Sequence, residues 1–189
     1  MQTLTLIKSR FAALVCLLLM FGAGWARGTD NAAAAVEYQV KAGFLVNFAK
    51  FVEWPAHALT NKFRIGIVDD DKAYPVIAAA LAGKSVGGRE IEVVRVKRGH
   101  DPKSFNIVFV TRSQAKRTQS VFEKVGTAPV LTVGETSGFA AEGGCFNFTL
   151  TGGNIRFEVN MGVAAKAGLK ISSRLASMAT IVEKKGDAT

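Results

Sequence analysis

Apolar residues recur every four positions at Val36, Val40, Phe44, Phe48 and Val52, and Leu45 and Phe51 widen the stripe. Lys41, Asn47 and Lys50 fall off it. This spacing predicts an amphipathic helix whose phenylalanines pack into a core. Trp54-Pro55 closes the helix, because the residue before a proline avoids helical backbone. Residues 63–68 (FRIGIV) read as a short strand, ended by Asp69-Asp70-Asp71. Residues 74–81 read as a short helix opened near Pro75, and residues 83–88 as a turn. Residues 90–96 alternate as a strand does, and residues 99–102 form a loop. Residues 107–110 are apolar without a break, the pattern of a strand buried on both faces. Residues 113–125 are helix-like and basic. Residues 130–133 form a second buried-type strand, followed by a glycine-rich loop over 134–144. Residues 146–150 and 155–159 alternate around Thr151-Gly152-Gly153-Asn154, which predicts a β-hairpin. Residues 161–169 read as a small-residue helix. Ser172 or Ser173 caps a last helix over 174–183, with Leu175, Met178, Ala179 and Val182 on one face. Strands that alternate with helices and end in a hairpin define an α/β fold. The expected form is a layered sandwich: a mixed, mostly parallel sheet flanked by helices, with a C-terminal hairpin plus helices.

The N-terminus adds a targeting segment. Lys8 and Arg10 precede an uncharged run over residues 11–24, and Gly24-Trp25-Ala26 offers small residues for a signal-peptidase cut. The run is shorter than the ~20 residues a membrane span needs, so residues 1–26 read as a secretory signal peptide. Residues 27–35 read as a flexible lead-in and residues 36–189 as a single domain. The chain of 189 residues is 49% hydrophobic and 21% charged, which excludes disorder. Its net charge of +9 points first to nucleic acid or an anionic membrane. Export changes that picture. Loss of Lys8 and Arg10 lowers the charge to +7, and an exported chain meets little nucleic acid, so none is expected as a partner. Cys16 leaves with the leader. Cys145 then stands as the one cysteine of the mature chain, and no intrachain disulfide can form. Its thiol is a redox or intermolecular candidate, or a small buried hydrophobe beside Phe146 and Phe148.

No catalytic constellation emerges. Asp69, Asp70 and Asp71 follow a strand, where open α/β sheets place ligands, yet a strand end can be simply acidic and solvated. Gly83-Lys84-Ser85 resembles the tail of a phosphate loop, but Ala78 occupies the position of its first glycine. Ser137 sits one place too late for a nucleophile elbow. His57 and His100 lie in loops, and with Cys145 and scattered carboxylates they make no zinc set. No cofactor and no metal are expected. Arg156 and Glu158 alternate with Ile155, Phe157 and Val159, so they share a strand face, as a cross-strand pair or a polar recognition site.

Several blocks are more specific in combination. Residues 37–55 read EYQVKAGFLVNFAKFVEWP, with FRIGIV, Gly83-Lys84 and Gly88-Arg89 after them. Later come VLTVGETSGFAAEGG, FNF, NIRFEVN and AGLKISSRLASMA. Over about residues 36–182 this resembles the YfiR family of exported regulators. The resemblance implies a periplasmic α/β protein without catalytic activity, which dimerises and represses a membrane-bound diguanylate cyclase by gripping its periplasmic sensor region. Release of that grip raises cyclic di-GMP and promotes biofilm. Family members carry cysteine pairs, including one where Asn106 precedes the 107–109 strand, and this chain departs from that pattern.

The expectation is therefore a periplasmic, non-enzymatic regulator with an inner-membrane diguanylate cyclase or sensor protein as partner, and a homodimer. Trp54 and Phe139, at element ends, are the candidate aromatic anchors of such an interface. Arg156, Glu158, Asn160 and Lys170, in the matched block, are candidates to line a partner or ligand site. The competing expectation is a periplasmic small-molecule-binding protein, with its site at the carboxyl edge of the sheet near residues 69–71 and 134–138. An envelope hydrolase using His57 or His100 is a third reading.

Overall fold

A computed structural model describes residues 26–183 and residue 185. The proposed signal peptide lies outside the described residues except for Ala26. The chain divides into two units between Glu37 and Tyr38. The described part of the first, residues 26–37, is helical and opens helix α1 (Ala26–Phe51), so the stretch read as a lead-in has helical backbone here.

The second unit is built on one eight-stranded sheet. Its strands are β2 (Lys62–Val68), β3 (Ser85–Val86), β4 (Arg89–Val96), β5 (Ile107–Val110), β6 (Leu131–Gly134), β7 (Phe146–Thr151), β8 (Asn154–Val159) and β10 (Thr180–Ile181). Their order is β10-β8-β7-β6-β5-β2-β4-β3. The five central strands β4, β2, β5, β6 and β7 run parallel. β3 is antiparallel to β4 and β8 is antiparallel to β7, while β10 is parallel to β8. A small second sheet pairs β1 (Val52–Glu53) with β9 (Lys170–Ile171). The mixed, mostly parallel α/β architecture is the one the hydrophobic pattern predicts.

Strand periodicity sorts the core into two layers. Phe63, Ile65, Ile67, Ile107, Phe109, Leu131 and Val133 face one side, with α1, α2 (Ala73–Leu81), α4 (Met161–Lys166) and α5 (Ser173–Ala176). Val68, Val96, Val108 and Val110 face the other, with α3 (Thr118–Val125). Phe44 and Phe48 of α1 meet Phe146, Phe148 and Phe157 at centroid separations of 4.5–5.8 Å. The hairpin turns through Gly152 (φ +57°) and Gly153 (φ +77°), a pair of left-handed positions that only glycine adopts without strain.

Three local expectations are corrected. Val36 and Val40 are exposed and Lys41 is buried, so the buried face keeps Leu45, Phe48 and Val52 of the expected stripe and adds Lys41, Ala42 and Val46 beside it. The helix stops at Phe51, because Val52 and Glu53 pair with Ile171 and Lys170. The helix expected over 174–183 shrinks to α5, capped by Ser172 on the Leu175 N–H. Residues 180 and 181 instead add β10 to the free edge of β8, a tertiary partner that outweighs local propensity.

Candidate functional site

The chain leaves β2 toward β4 on one side and returns to β5 on the other. The carboxyl ends of β2 and β5 are therefore the topological switch point, where open α/β sheets hold ligands. Here that point is occupied by the protein itself. Asp70 is buried, and its Oδ1 accepts from the N–H groups of Lys72 (2.8 Å) and Ala73 (2.8 Å). Its Oδ2 accepts from the hydroxyls of Thr111 (2.7 Å) and Ser113 (2.6 Å). Burial pushes the Asp70 pKa up, but the bonds from Ser113, Ala73, Thr111 and Lys72 outweigh it, and the net direction is down. Asp69 and Asp71 face Arg95, which also stacks on Tyr74 at 4.8 Å. The three aspartates thus brace a turn. Among the described residues no group of three or more His, Cys, Asp or Glu could hold a metal ion.

One strand further along, Glu135 follows β6 and is buried. Its carboxylate pairs with Lys41 of α1, and accepts from the Tyr38 hydroxyl (3.1 Å) and the Arg112 N–H (2.6 Å). This one side chain ties α1, the β5–α3 connection and the end of β6 together.

Beside it lies a notch. β7 pairs with β8 along six residues but with β6 only at Phe146 and Asn147. Past Asn147 the hairpin projects beyond the end of β6. The space left is a cavity of about 360 Å³ lined by Arg112, Glu135, Ser137, Asn147, Thr149 and Glu158, among others. Asn147 is completely buried. Its Nδ2 donates to Glu158 Oε2 at 3.0 Å, and its Oδ1 has no partner among the described residues.

The expected site residues distribute unevenly. Glu158 is on the notch, and Arg156 lies two residues along β8, opposite Thr149. The two do not pair with each other, since Glu158 takes its bond from Asn147. Asn160 is buried and structural: its Oδ1 caps α4 through the Val163 N–H, and its Nδ2 donates to the Ala140 carbonyl. Lys170 is exposed in β9, opposite Glu53 and apart from the notch. Trp54 is mostly buried, edge-on to Phe63 at 5.1 Å, and borders a separate groove of about 330 Å³ with Leu59, Val86 and Arg89. Phe139 is corrected outright. It is 1% exposed, packed on Phe122 at 5.0 Å, and closed over by Gly134 and Gly144, so it offers no surface anchor. Cys145 is buried as well, and burial pushes its thiol pKa above 9.0, against smaller opposing bonds from Thr132. A thiol so placed is not an accessible redox group.

Arg112 and Asn147 were missed, and Glu135 was reached only as part of the range 134–138. The signals are visible afterwards: a polar residue between two core phenylalanines of a strand, and an acid directly after a strand that is wholly buried.

The fold and the notch define a doubly wound α/β domain with a projecting C-terminal hairpin. A family model described as YfiR/HmsC-like matches residues 38–180. The chain belongs to the YfiR/HmsC-like family, whose YfiR-like members are periplasmic regulators. Among solved structures, a conserved domain protein from Vibrio cholerae O1 biovar El Tor strain N16961 is similar at 12% identity and a TM-score of 0.49. The match covers 67% of this chain and 56% of that one. No curated protein matches the sequence.

Proposed function

We propose that this chain is a non-catalytic periplasmic regulator that binds the periplasmic region of an inner-membrane signalling protein, a diguanylate cyclase, and lowers its cyclic di-GMP output. The observation that carries this reading is family membership across residues 38–180. The saturated Asp70 at the switch point supports it, because the place where an α/β enzyme would keep its chemistry is used to brace a turn. The mechanism is a population shift: the regulator binds one conformation of the sensor region, and its differential affinity holds the output off. Arg156 and Lys170 are exposed, and Trp54 lines an open groove; all three are available to such an interface. The homodimer belongs to the same reading. With Cys145 buried, its contact is noncovalent.

The test is crosslinking in intact cells, recovery of the chain from envelope extract, and mass spectrometry, with cyclic di-GMP measured in a deletion strain. One inner-membrane cyclase among the crosslinked proteins, and raised cyclic di-GMP on deletion, are expected. Unchanged cyclic di-GMP would sink the cyclase assignment. A crosslinked sensor kinase would move the output to phosphorylation.

A second reading, a small-molecule site at the carboxyl edge of the sheet, is favoured by one observation. The notch beside β7 is lined by Asn147, whose buried amide oxygen has no described partner, and such a group is costly to leave unpaired.

A further inference from the structure

The notch has a chemical polarity that narrows what fits it. At one end sit two acceptors. The Asn147–Glu158 bond fixes the amide orientation, because a flipped amide would set oxygen against oxygen. That leaves Asn147 Oδ1 and the second oxygen of Glu158 both without a described partner. On the other wall is Arg112. Its main chain is held by the 2.6 Å bond from its N–H to Glu135, while its guanidinium makes no ion pair or hydrogen bond to a described residue. Glu135 does not compete as a third acceptor. Its charge is met by Lys41, and both of its oxygens already accept bonds.

We propose that the notch binds a small zwitterion, its ammonium group between Asn147 and Glu158 and its carboxylate on Arg112. This deepens, and rests on, the small-molecule reading. An ammonium carries three donors and no acceptor, so one group satisfies both oxygens. A carboxylate at that end would face Glu158 and an unpaired carbonyl oxygen. Arginine presents a planar fork that matches a carboxylate in two parallel bonds and keeps its charge at any physiological pH. The volume of about 360 Å³ suits a molecule of amino-acid size and lies at the lower end of ordinary ligand cavities. Leu150, exposed at the notch rim, supplies apolar contact for the ligand's carbon skeleton.

The experiment uses the full chain, expressed with its leader and purified from the envelope. Thermal unfolding and titration calorimetry are run with glycine, β-alanine, γ-aminobutyrate and L-glutamine, and with methylammonium and acetate as half-molecules. At least one zwitterion should raise Tm by about 5 °C near saturation, the shift ordinary linkage gives for a chain of this size. Arg112→Gln should weaken that binding at least ~10-fold by removing the two-bond carboxylate contact. Asn147→Leu, close in volume, should abolish it while the unliganded protein still unfolds cooperatively, since the lost bond to Glu158 is offset by removal of a buried acceptor without a partner. Protection that survives both substitutions would overturn the location. Protection by acetate or methylammonium alone, lost in Asn147→Leu, would overturn the zwitterion but keep the ligand site. No protection by any of the six compounds would overturn both.

Discussion

Lys41 and Glu135 lie 94 residues apart in the chain and are each 2% exposed at the side chain. Two charges taken out of water at this depth repay their desolvation only through each other and through added hydrogen bonds. Tyr38 and Arg112 supply those bonds to Glu135, and the Lys41 ammonium also lies 5.2 Å from the Tyr38 ring and 5.8 Å from the Phe148 ring. Lys41→Met should therefore cost about 3–5 kcal/mol, because it strands a buried carboxylate. Adding Glu135→Gln should recover a large part of that loss in urea titration, since the amide oxygen keeps an acceptor for the Arg112 N–H without the charge. A double variant no more stable than Lys41→Met would mean the pair is not the source of the cost. Asp70 makes a pH-dependent prediction. Its folded pKa lies below 3.8, so the unfolded chain binds the proton first as pH drops. The stabilisation is complete above that value and is lost as pH falls through the folded pKa. Asp70→Asn should cost about 2 kcal/mol at neutral pH, a typical loss for hydrogen bonds to a charged group. The gap between the two proteins should close only below pH 3.8. A gap constant down to strong acid would exclude the carboxylate as its cause.

At the scale of elements, the glycine-rich stretch 134–144 is a fitted cover and not a slack loop. A Cβ on either Gly134 or Gly144 would run into the Phe139 ring, which is why the ring sinks into the layer formed by Val108, Val110 and Val121. Gly134→Ala should then destabilise by about 1–3 kcal/mol through overpacking. Phe139→Leu in the same chain should restore part of it, because the smaller side chain vacates the contact. Additive losses in the double variant would contradict this packing. Phe139 also shows where sequence reading ends. Its position in a loop between glycines suggested exposure, but a glycine leaves room as readily for a neighbouring ring as for a partner. The strands were legible because period-two patterns report burial directly: residues 107–110 are buried on both faces, as their unbroken apolar run predicts. The two-residue strands β1, β9 and β10 were not legible. Each is created by its partner, and nothing local in Val52-Glu53, Lys170-Ile171 or Thr180-Ile181 encodes it. The notch was half legible for the same reason. Glu158 stands out in an alternating strand, whereas Lys41 reads as solvent-facing until a carboxylate far along the chain is brought beneath it.

Across the second unit as a whole, stability should follow the order of strands in the sheet. β5 and β6 sit at its centre, with every residue buried and neighbours on both sides. β10 and β3 sit at its two edges, two residues long and largely exposed. Amides that open only when the whole unit unfolds therefore belong to β2, β5 and β6, and those that open locally belong to the edges. Hydrogen exchange followed by mass spectrometry should show peptides over 63–68, 107–110 and 131–134 as the slowest, and those over 180–183 among the fastest. The hairpin makes the sharper case. Phe146 and Asn147 are pinned by β6, but residues 148–151 have a strand neighbour on one side only. Exchange should quicken along β7 between Asn147 and Thr151, and a ligand in the notch should slow it there and not at β10. A hairpin uniformly as slow as β5 would mean that its projecting half is covered by something beyond the described residues, and the partner interface would then have to be sought on that face.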